Sequence, residues 1–427
     1  MGLINSPVDQ MEYQQMQALI IGVISFGFIL ERWLNYLNTK NHEAAIPEEL
    51  IGVYDSEAYI KSIAYERANT KFENSSSTFS YLITLLMIGS GFFSRLDTWS
   101  KEVTGDLVWS TIVFFGILAL LSDLISMPFT IYKTFVIEER FGFNRTTLKL
   151  FFIDKLKGYL LAGILGGCLL AIFVLFYQLT GRNFWLYVWI TLSVVSIFLS
   201  MFYASVILPF FNKLKPLGEG ELRKSIESYC FKVKFKLENL YIMDGSKRSS
   251  KANAFFSGLG RSKKIVLFDT LVERHSNEEL VAVLAHEIGH YKMKHTRTSI
   301  LLSIFQTGVM LYLLAFFINE PLLSQALGSK DASFALGLVA FAILYSPVSL
   351  IFGIFMNMLS RKHEFEADAF AATSYNPLPL KDALRKLSSN NLSNLTPHPY
   401  YVFFHYSHPP LAQRLQALNQ FKDKSGY

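Results

Sequence analysis

Residues 183–212 read NFWLYVWITLSVVSIFLSMFYASVILPFFN and contain no charged side chain. A helix that crosses a membrane needs roughly 20 consecutive, predominantly apolar residues, whereas shorter apolar runs are typical of helices buried in soluble proteins. This stretch is long enough to span the hydrocarbon region of a bilayer. It therefore predicts a transmembrane helix and raises the question of how many more the chain contains.

Six further stretches have the same character. Only 17% of the 427 residues are charged, against about 25% in a typical soluble domain. One or two such stretches would fit the core of a soluble protein, but seven would not. We therefore predict an all-α multi-pass membrane protein with seven transmembrane helices. The six stretches are residues 13–30, 74–94, 107–132, 158–181, 298–319 and 332–360.

One charged residue, Asp123, interrupts the stretch 107–132. An ionisable residue inside a transmembrane helix usually faces a water-filled interior or another polar group. The alternative is that the transmembrane segment simply ends at Asp123. The sequence supports the two interpretations equally.

The distribution of Lys and Arg predicts the orientation of the chain in the membrane. With seven spans, the loops 37–73, 133–157 and 213–297 and the C-terminal tail lie on one side. The short loop 133–157 is rich in Lys and Arg, and the loops of the opposite side are poor in them. The positive-inside rule therefore places the first set in the cytoplasm. We attribute the net charge of +6 to basic loops at an anionic membrane face, and not to nucleic-acid binding.

The chain divides into four parts on this pattern. Residues 1–212 carry the first five spans, and residues 213–297 form a folded insertion on the cytosolic side. Residues 298–360 carry the last two spans, and residues 361–427 form a C-terminal segment. Within the insertion, KKIVLFDTLV (263–272) predicts a strand. The pair Ser276 and Glu279 forms a capping box, which predicts that a helix begins near residue 277.

That helix contains LAHEIGHYKMKH, residues 284–295. Residues four apart lie on one helix face, so His286 and His290 are positioned to bind one cation. Glu287 is rotated about 100° from His286 on the helix, which suits it to accept a proton from water. The pattern is the H-E-x-x-H arrangement of zinc hydrolases. The alternative is a solvated helix face with no metal.

A catalytic zinc needs a third protein ligand from the same side of the membrane. The segment SRKHEFEADAFAATS (360–374) follows the last span and offers Glu364 and Asp368, one helical turn apart. We predict that Glu364 is the third ligand and that Asp368 orients a ligating imidazole. The alternative is an ordinary charged turn beside the membrane. We expect His295 to lie off the ligand face and to be exposed.

The chain resembles the Ste24-type CAAX prenyl proteases, which are integral-membrane zinc metalloproteases of the M48 family. Six motifs in the same order carry the resemblance and extend over most of the chain. They are FVIEERFGFNRTT (135–147), SKRSSKANAFFSG (246–258), KIVLFDTLV (264–272), LAHEIGHYKMKH (284–295), EFEADAFA (364–371) and HYSHPPLAQRLQAL (405–418).

The resemblance implies a zincin-like insertion and seven helices that enclose a water-filled chamber. It implies one Zn²⁺ per chain, bound by His286, His290 and Glu364, with Glu287 as the general base and Asp368 behind the ligands. It also implies an enzyme that removes the last three residues after a prenylated cysteine. We expect a monomer.

Four further site residues come from the resemblance alone. Asn253 and Ala254 would bind the backbone of the substrate. His408 and Arg414 would line the site and stabilise the developing oxyanion.

Two features favour a bacterial member of the family. Eukaryotic members tend to carry His-Ser before Asn253, where this chain has Lys251 and Ala252. The end of the sequence, KDKSGY, also lacks an endoplasmic-reticulum retrieval signal. We therefore expect the inner or plasma membrane for a bacterial protein and the endoplasmic reticulum for a eukaryotic one, with the active site towards the cytoplasm.

Three other functions are open to the same sequence. A membrane protease that degrades misfolded membrane proteins would use the same chemistry on substrates without a prenyl group. A transporter or channel would explain the spans and Asp123 but leaves the metal motif unused, and no inverted repeat is visible. A metal-binding scaffold without activity would leave Glu287 without a function.

Overall fold

The computed structural model describes residues 7–41, 46, 48–236, 240–257 and 264–421. These residues are mostly helical. The helices are α1 (Pro7–Asn41), α2 (Ser56–Gly89), α3 (Phe92–Thr104), α4 (Leu107–Tyr132), α5 (Leu148–Thr180), α6 (Phe184–Val206), α7 (Leu208–Phe211), α8 (Glu221–Lys232), α9 (Asp269–Val272), α10 (Asn277–Lys292), α11 (His295–Phe317), α12 (Pro321–Gln325), α13 (Phe334–Ser374), α14 (Pro377–Asn390), α15 (Pro399–His405) and α16 (Leu411–Leu418).

Within the described residues, five helical runs are long and apolar enough to cross a membrane, or six if the bent pair α2 and α3 is one span. All seven stretches predicted from the sequence lie on these helices. The multi-pass character is therefore confirmed. The five runs are Glu12–Asn41, Leu107–Glu138, Leu148–Phe211, His295–Phe317 and Phe334–Ser374.

The longest run, Leu148–Phe211, contains two long helices that fold back on each other. Gly181 adopts a φ of +53° between α5 and α6, a conformation that glycine reaches at little cost. Phe176 of α5 and Tyr187 of α6 lie on either side of this turn, and their rings stack with centroids 5.4 Å apart. In a straight helix, residues eleven positions apart would be separated by about 16 Å. The chain therefore reverses direction here.

The helix α4 does not end at Asp123. It continues to Tyr132, so the helix itself extends well beyond this residue. The Asp123 carboxylate accepts hydrogen bonds from Lys155 and Tyr159 of α5. These contacts explain how a charged residue is accommodated in an apolar helix.

The insertion contains a four-stranded sheet. Its strands are β1 (Leu214–Pro216), β2 (Leu240–Met243), β3 (Ala254–Ser257) and β4 (Lys264–Phe268), in the order β1-β2-β4-β3. The strands β2 and β4 are parallel, and the other two pairs are antiparallel. The strand predicted over 263–272 is thus present as β4 and gives way to α9 at Asp269. The strand β3 lies at an edge of the sheet.

The insertion and the C-terminal segment share one hydrophobic core. Side chains of β4 and α10 pack with side chains from the end of α13 and from α14 and α16. This packing holds α10 against α13, where the predicted metal ligands lie. The buried members include Ile265, Leu267, Leu280, Leu284, Ala371, Leu380, Leu384 and Leu418.

Candidate active site

The helix α10 begins with the predicted capping box. The Ser276 side chain accepts a hydrogen bond from the Glu279 backbone N–H, and the Glu279 carboxylate accepts one from Ser276 N–H, both at 3.2 Å. Lys386 of α14 approaches the same carboxylate to 2.6 Å. These contacts fix the start of α10, and with it the direction in which the motif about three to four turns later faces.

A glycine inside the motif lets α10 and α13 approach closely. A Cβ atom at Gly289 would lie 3.1 Å from the Cα of Ala367 and 3.2 Å from the Cβ of Phe370. Nearly every other residue type would therefore push the two helices apart. The absence of a side chain at Gly289 brings the two histidines within reach of the carboxylates of α13.

His286, His290 and Glu364 converge as the sequence predicts. One ligand atom from each lies within 4.8 Å of the other two. The Nε2 atoms of His286 and His290 are 3.1 Å apart. They lie 3.4 and 3.2 Å from the two carboxylate oxygens of Glu364. Two imidazole nitrogens and a carboxylate oxygen are the ligands of a catalytic zinc site with one open position.

One oxygen of Glu364 supports the fit to a cation. The Glu364 side chain is buried, and its Oε2 atom has no hydrogen-bond partner among the described residues. Arg414 Nη1 lies 3.3 Å from this oxygen, and His286 Nε2 lies 3.4 Å from it. A buried carboxylate oxygen without a hydrogen bond is costly unless a cation offsets its charge. Arg414 does so in part, and a metal ion between Glu364 and His286 Nε2 would satisfy the oxygen fully.

Asp368 and Arg414 hold His286 from the other side of its ring. The Asp368 Oδ1 atom lies 2.8 Å from His286 Nδ1. Arg414 donates from Nε and Nη2 to the two oxygens of Asp368, at 2.8 and 2.7 Å. Burial lowers the pKa of His286, but hydrogen bonds to the carboxylates of Asp368 and Glu364 outweigh that effect and raise the pKa to about 9. The two carboxylates thus favour positive charge at this position.

Glu287 lies on the wall of a cavity of about 200 Å³ that also exposes His286 and Glu364. Burial raises the pKa of the Glu287 carboxyl, although the two histidines oppose that shift. A raised pKa brings a carboxylate closer to that of an effective general base near neutral pH. Glu287 is therefore placed beside the ligands, as its rotation on the helix predicts.

The four residues taken from the resemblance line the same cavity. Asn253, Ala254, His408 and Arg414 all contribute to its wall. His408 Nε2 is 3.4 Å from Glu364, and its side chain is 64% exposed. Arg414, by contrast, is buried and occupied with Asp368. The cavity thus brings residues from β3, α10, α13 and the C-terminal segment together.

The motif FVIEERFGFNRTT forms a brace of backbone hydrogen bonds with the segment that precedes Asn253. Ser250 N–H donates to Phe143 O, and Arg145 N–H donates to Arg248 O, both at 3.0 Å. Lys251, which departs from the eukaryotic pattern, lies 3.0 Å from the carboxylate of Glu138. The departure therefore adds an ion pair to this brace.

The sequence prediction assigned no role in the site to His295. It is 5% exposed, and its Nδ1 atom lies 3.1 Å from His290 Nδ1. Its Nε2 atom lies 2.8 Å from Glu366, and its ring stacks on His363 at 3.9 Å. The expectation that His295 is exposed is wrong. It assumed that one continuous helix carries His290 and His295, which would place the two side chains on different faces.

The helix breaks at Lys294, which has a φ of +64°. The break starts α11 at His295 and turns that side chain back towards His290. The signal available in the sequence was the third histidine of HEIGHYKMKH beside Glu366 in EFEADAFA.

Two models of known protein families together match most of the chain. Residues 35–213 match the family described as CAAX prenyl protease N-terminal, with five membrane helices. Residues 216–422 match peptidase family M48.

Curated relatives are similar over nearly their full length. CAAX prenyl protease 1 of Saccharomyces cerevisiae is 36% identical over 96% of both chains. The CAAX prenyl protease 1 homolog of Oryza sativa is 35% identical over 94% of this chain and 97% of its own. The homolog of Homo sapiens is 32% identical over 92% of both.

A solved structure has the same fold. The crystal structure of S. mikatae Ste24p superposes with a TM-score of 0.90 at 33% identity. It covers 95% of this chain and 99% of its own. The chain therefore belongs to the Ste24-type CAAX prenyl proteases, the integral-membrane metallopeptidases of family M48.

Proposed function

We propose that this protein uses zinc to hydrolyse the peptide bond that releases the C-terminal tripeptide of prenylated CAAX proteins. The observation that carries the proposal is the convergence of His286, His290 and Glu364, two of which line the same cavity as Glu287. It occurs in a chain that matches CAAX prenyl proteases over nearly its whole length.

Zinc bound by the three ligands would supply a Lewis acid that polarises the scissile carbonyl and acidifies water. Glu287 would take a proton from the attacking water and deliver it to the leaving amine. His408 faces the same cavity and would donate a hydrogen bond to the developing oxyanion. Arg414 would act chiefly by holding Asp368, because two of its donor nitrogens already bind that carboxylate.

The edge strand β3 would hold the substrate. Asn253 and Ala254 lie where β3 meets the cavity, and an extended peptide can add to a free sheet edge through backbone hydrogen bonds. Val283, Leu380 and Leu384 give the cavity an apolar wall. Such a wall suits the aliphatic side chains of a CAAX terminus.

We propose seven transmembrane helices around a chamber. The reversal at Gly181 divides one of the five apolar runs into two spans, which gives six spans. The bent pair α2 and α3 gives the seventh. Only 6–17% of the residues in the spans are buried. Low burial supports a bundle around a hollow, because a solid bundle would bury one face of each helix.

We propose the four-part organisation given by the sequence, with residues 213–297 and 361–427 forming one catalytic unit. Their shared core supports this pairing. We also propose a monomer as the active form.

We also propose that the active site opens towards the cytoplasm, on the basis of the Lys and Arg distribution. The membrane would be the plasma membrane in a bacterium and the endoplasmic reticulum in a eukaryote.

The test is to incubate the detergent-purified protein with a farnesylated CAAX peptide and with its unprenylated twin. Release of the tripeptide from the farnesylated peptide alone, abolished by Glu287→Gln and by a chelator, is the expected result. Equal cleavage of both peptides would favour a quality-control protease. Cleavage of neither peptide by the zinc-loaded protein would contradict the proposed substrate.

A further inference from the structure

A groove lies between α1 and α2, away from the candidate active site. It has a volume of about 790 Å³ and is lined by polar side chains over most of its length. The apolar side chains of Phe79 and Leu82 lie at one end. The groove thus has a polar part and, at one end, an apolar part.

The groove crosses the expected membrane boundary. On α1, the uncharged stretch ends at residue 30, and on α2 the continuous apolar sequence starts at Phe79. Trp33 and Tyr36 are 46% and 63% exposed just beyond that point on α1. Exposed Trp and Tyr residues are enriched at the membrane–water interface. The polar part of the groove therefore lies at the depth of lipid headgroups.

Three cationic residues line the polar part: Arg32 from α1, and Arg67 and Lys71 from α2. Arg67 and Lys71 are one turn apart, so they lie on the same face of α2. Among the described residues that line the groove, none is acidic. The groove is therefore positive at the headgroup level.

The acidic residues of α2 face a different direction. Glu66 accepts a hydrogen bond from Asn38 at 2.9 Å, and Glu73 lies 3.4 Å from Lys133. Both contacts are to residues outside the groove. These contacts engage Glu66 and Glu73 with groups that do not line the groove.

Arg32 also fixes the width of the groove. Its guanidinium donates to the Asn74 carbonyl and to the hydroxyl groups of Ser77 and Thr78. These contacts link α1 to α2 across the groove. A preformed site costs less ordering on binding than one that must assemble.

We propose that this groove binds an anionic phospholipid of the surrounding bilayer. The phosphate and the charged headgroup would contact Arg67 and Lys71, and an acyl chain would run along Phe79 and Leu82. Basic pockets between transmembrane helices bind anionic headgroups by the same physics. A zwitterionic lipid has the same chains but lacks the net charge that the three cations select.

The test uses the full-length protein in detergent with two lipids of identical acyl chains, phosphatidylserine and phosphatidylcholine, and native mass spectrometry to count bound lipid. We expect tighter binding of phosphatidylserine. Arg67→Gln with Lys71→Gln should weaken it by roughly thirtyfold, since each cation near an anionic lipid contributes about 1 kcal/mol. Binding should also weaken as salt rises.

Three controls make the result decisive. Lys149→Gln, which removes an exposed cation of α5, should leave phosphatidylserine binding unchanged. The charge-conserving variant Arg67→Lys with Lys71→Arg should retain binding, which separates loss of charge from loss of folding. Soluble glycerophosphoserine should compete poorly because it lacks acyl chains.

Equal binding of the two lipids would overturn the proposal, and so would equal losses in the double variant and in Lys149→Gln. Full competition by glycerophosphoserine would identify a site for soluble phosphates and would overturn the assignment to a membrane lipid.

Discussion

Each imidazole of the HEIGH motif has a second side chain behind it. His286 meets Asp368, which Arg414 holds in turn, and His290 meets His295, which Glu366 holds. In both rings Nδ1 faces the supporting residue, and Nε2 faces Glu364. Such support fixes the tautomer and the ring orientation of a metal ligand. The two candidate ligands therefore have fixed orientations without a metal.

Glu287→Gln should abolish most of the activity and leave the metal in place. The amide cannot accept the proton of the attacking water, and general-base catalysis contributes roughly 10²–10⁴-fold. We expect kcat to fall by that factor. Metal analysis should still find one zinc per chain, because Glu287 is not among the converging ligands. Loss of zinc in this variant would show that Glu287 binds the metal.

His295→Ala should weaken zinc binding although His295 is not a ligand. Removing a residue that supports a metal ligand costs about 10- to 100-fold in affinity. The measurement is competition with a calibrated chelator, which does not depend on activity. His405→Ala is the matched control, since His405 also lies near a carboxylate, Glu31 at 3.4 Å, but outside the ligand group. Equal affinities for the two variants would refute the supporting role.

At the scale of elements, the contact between α10 and α13 assembles the site. The capping box starts α10, the shared core presses it against α13, and Gly289 sets the distance between the two axes. The ligands thus depend on packing that involves no metal.

Gly289→Ala should therefore disturb the site without touching a ligand. The added methyl group meets the backbone of α13, and overpacking of this kind costs about 1–3 kcal/mol. We expect weaker zinc binding by chelator competition and a lower kcat. Gly353→Ala tests the same substitution on α13, where a Cβ would meet nothing within 4 Å. It should bind zinc like the unmodified protein.

The sequence predicted the elements best where the signal was local. Uncharged runs located the spans, and the pair Ser276 and Glu279 located the start of α10. The pairing of Glu364 with the histidines was also predictable, because few residues on that side could serve as a third ligand. The role of His295 was not, since it depends on the left-handed conformation of Lys294.

Contacts between segments that are distant along the chain could not be predicted from one sequence either. The close approach at Gly289 depends on a helix more than 70 residues away along the chain. The order of the strands, with β3 at the edge, also depends on how distant segments pair. Periodicity and spacing carry no information about such contacts.

At the scale of the whole molecule, a metal bound by α10 and α13 would link the insertion to the last transmembrane helix. A ligand that binds only the folded state stabilises it, by about 2.7 kcal/mol at a free concentration of 100 Kd. A chelator should therefore lower the unfolding temperature, and added zinc should restore it. The double variant His286→Ala with His290→Ala should respond to neither, and an equal response would place the stabilising metal elsewhere.

The helix α13 runs without interruption for 41 residues, from Phe334 to Ser374. Its first half is apolar enough to cross a membrane, and its second half carries Glu364. At a rise of about 1.5 Å per residue, Glu364 lies roughly 45 Å along the axis from Phe334. A tilt of one degree would move that carboxylate by about 0.8 Å over this length, several times the tolerance of about 0.2 Å in a metal–ligand bond. Bilayer thickness influences the tilt of a transmembrane helix, so the core that joins α10 to this end of α13 must move with the helix to preserve the spacing of the candidate ligands.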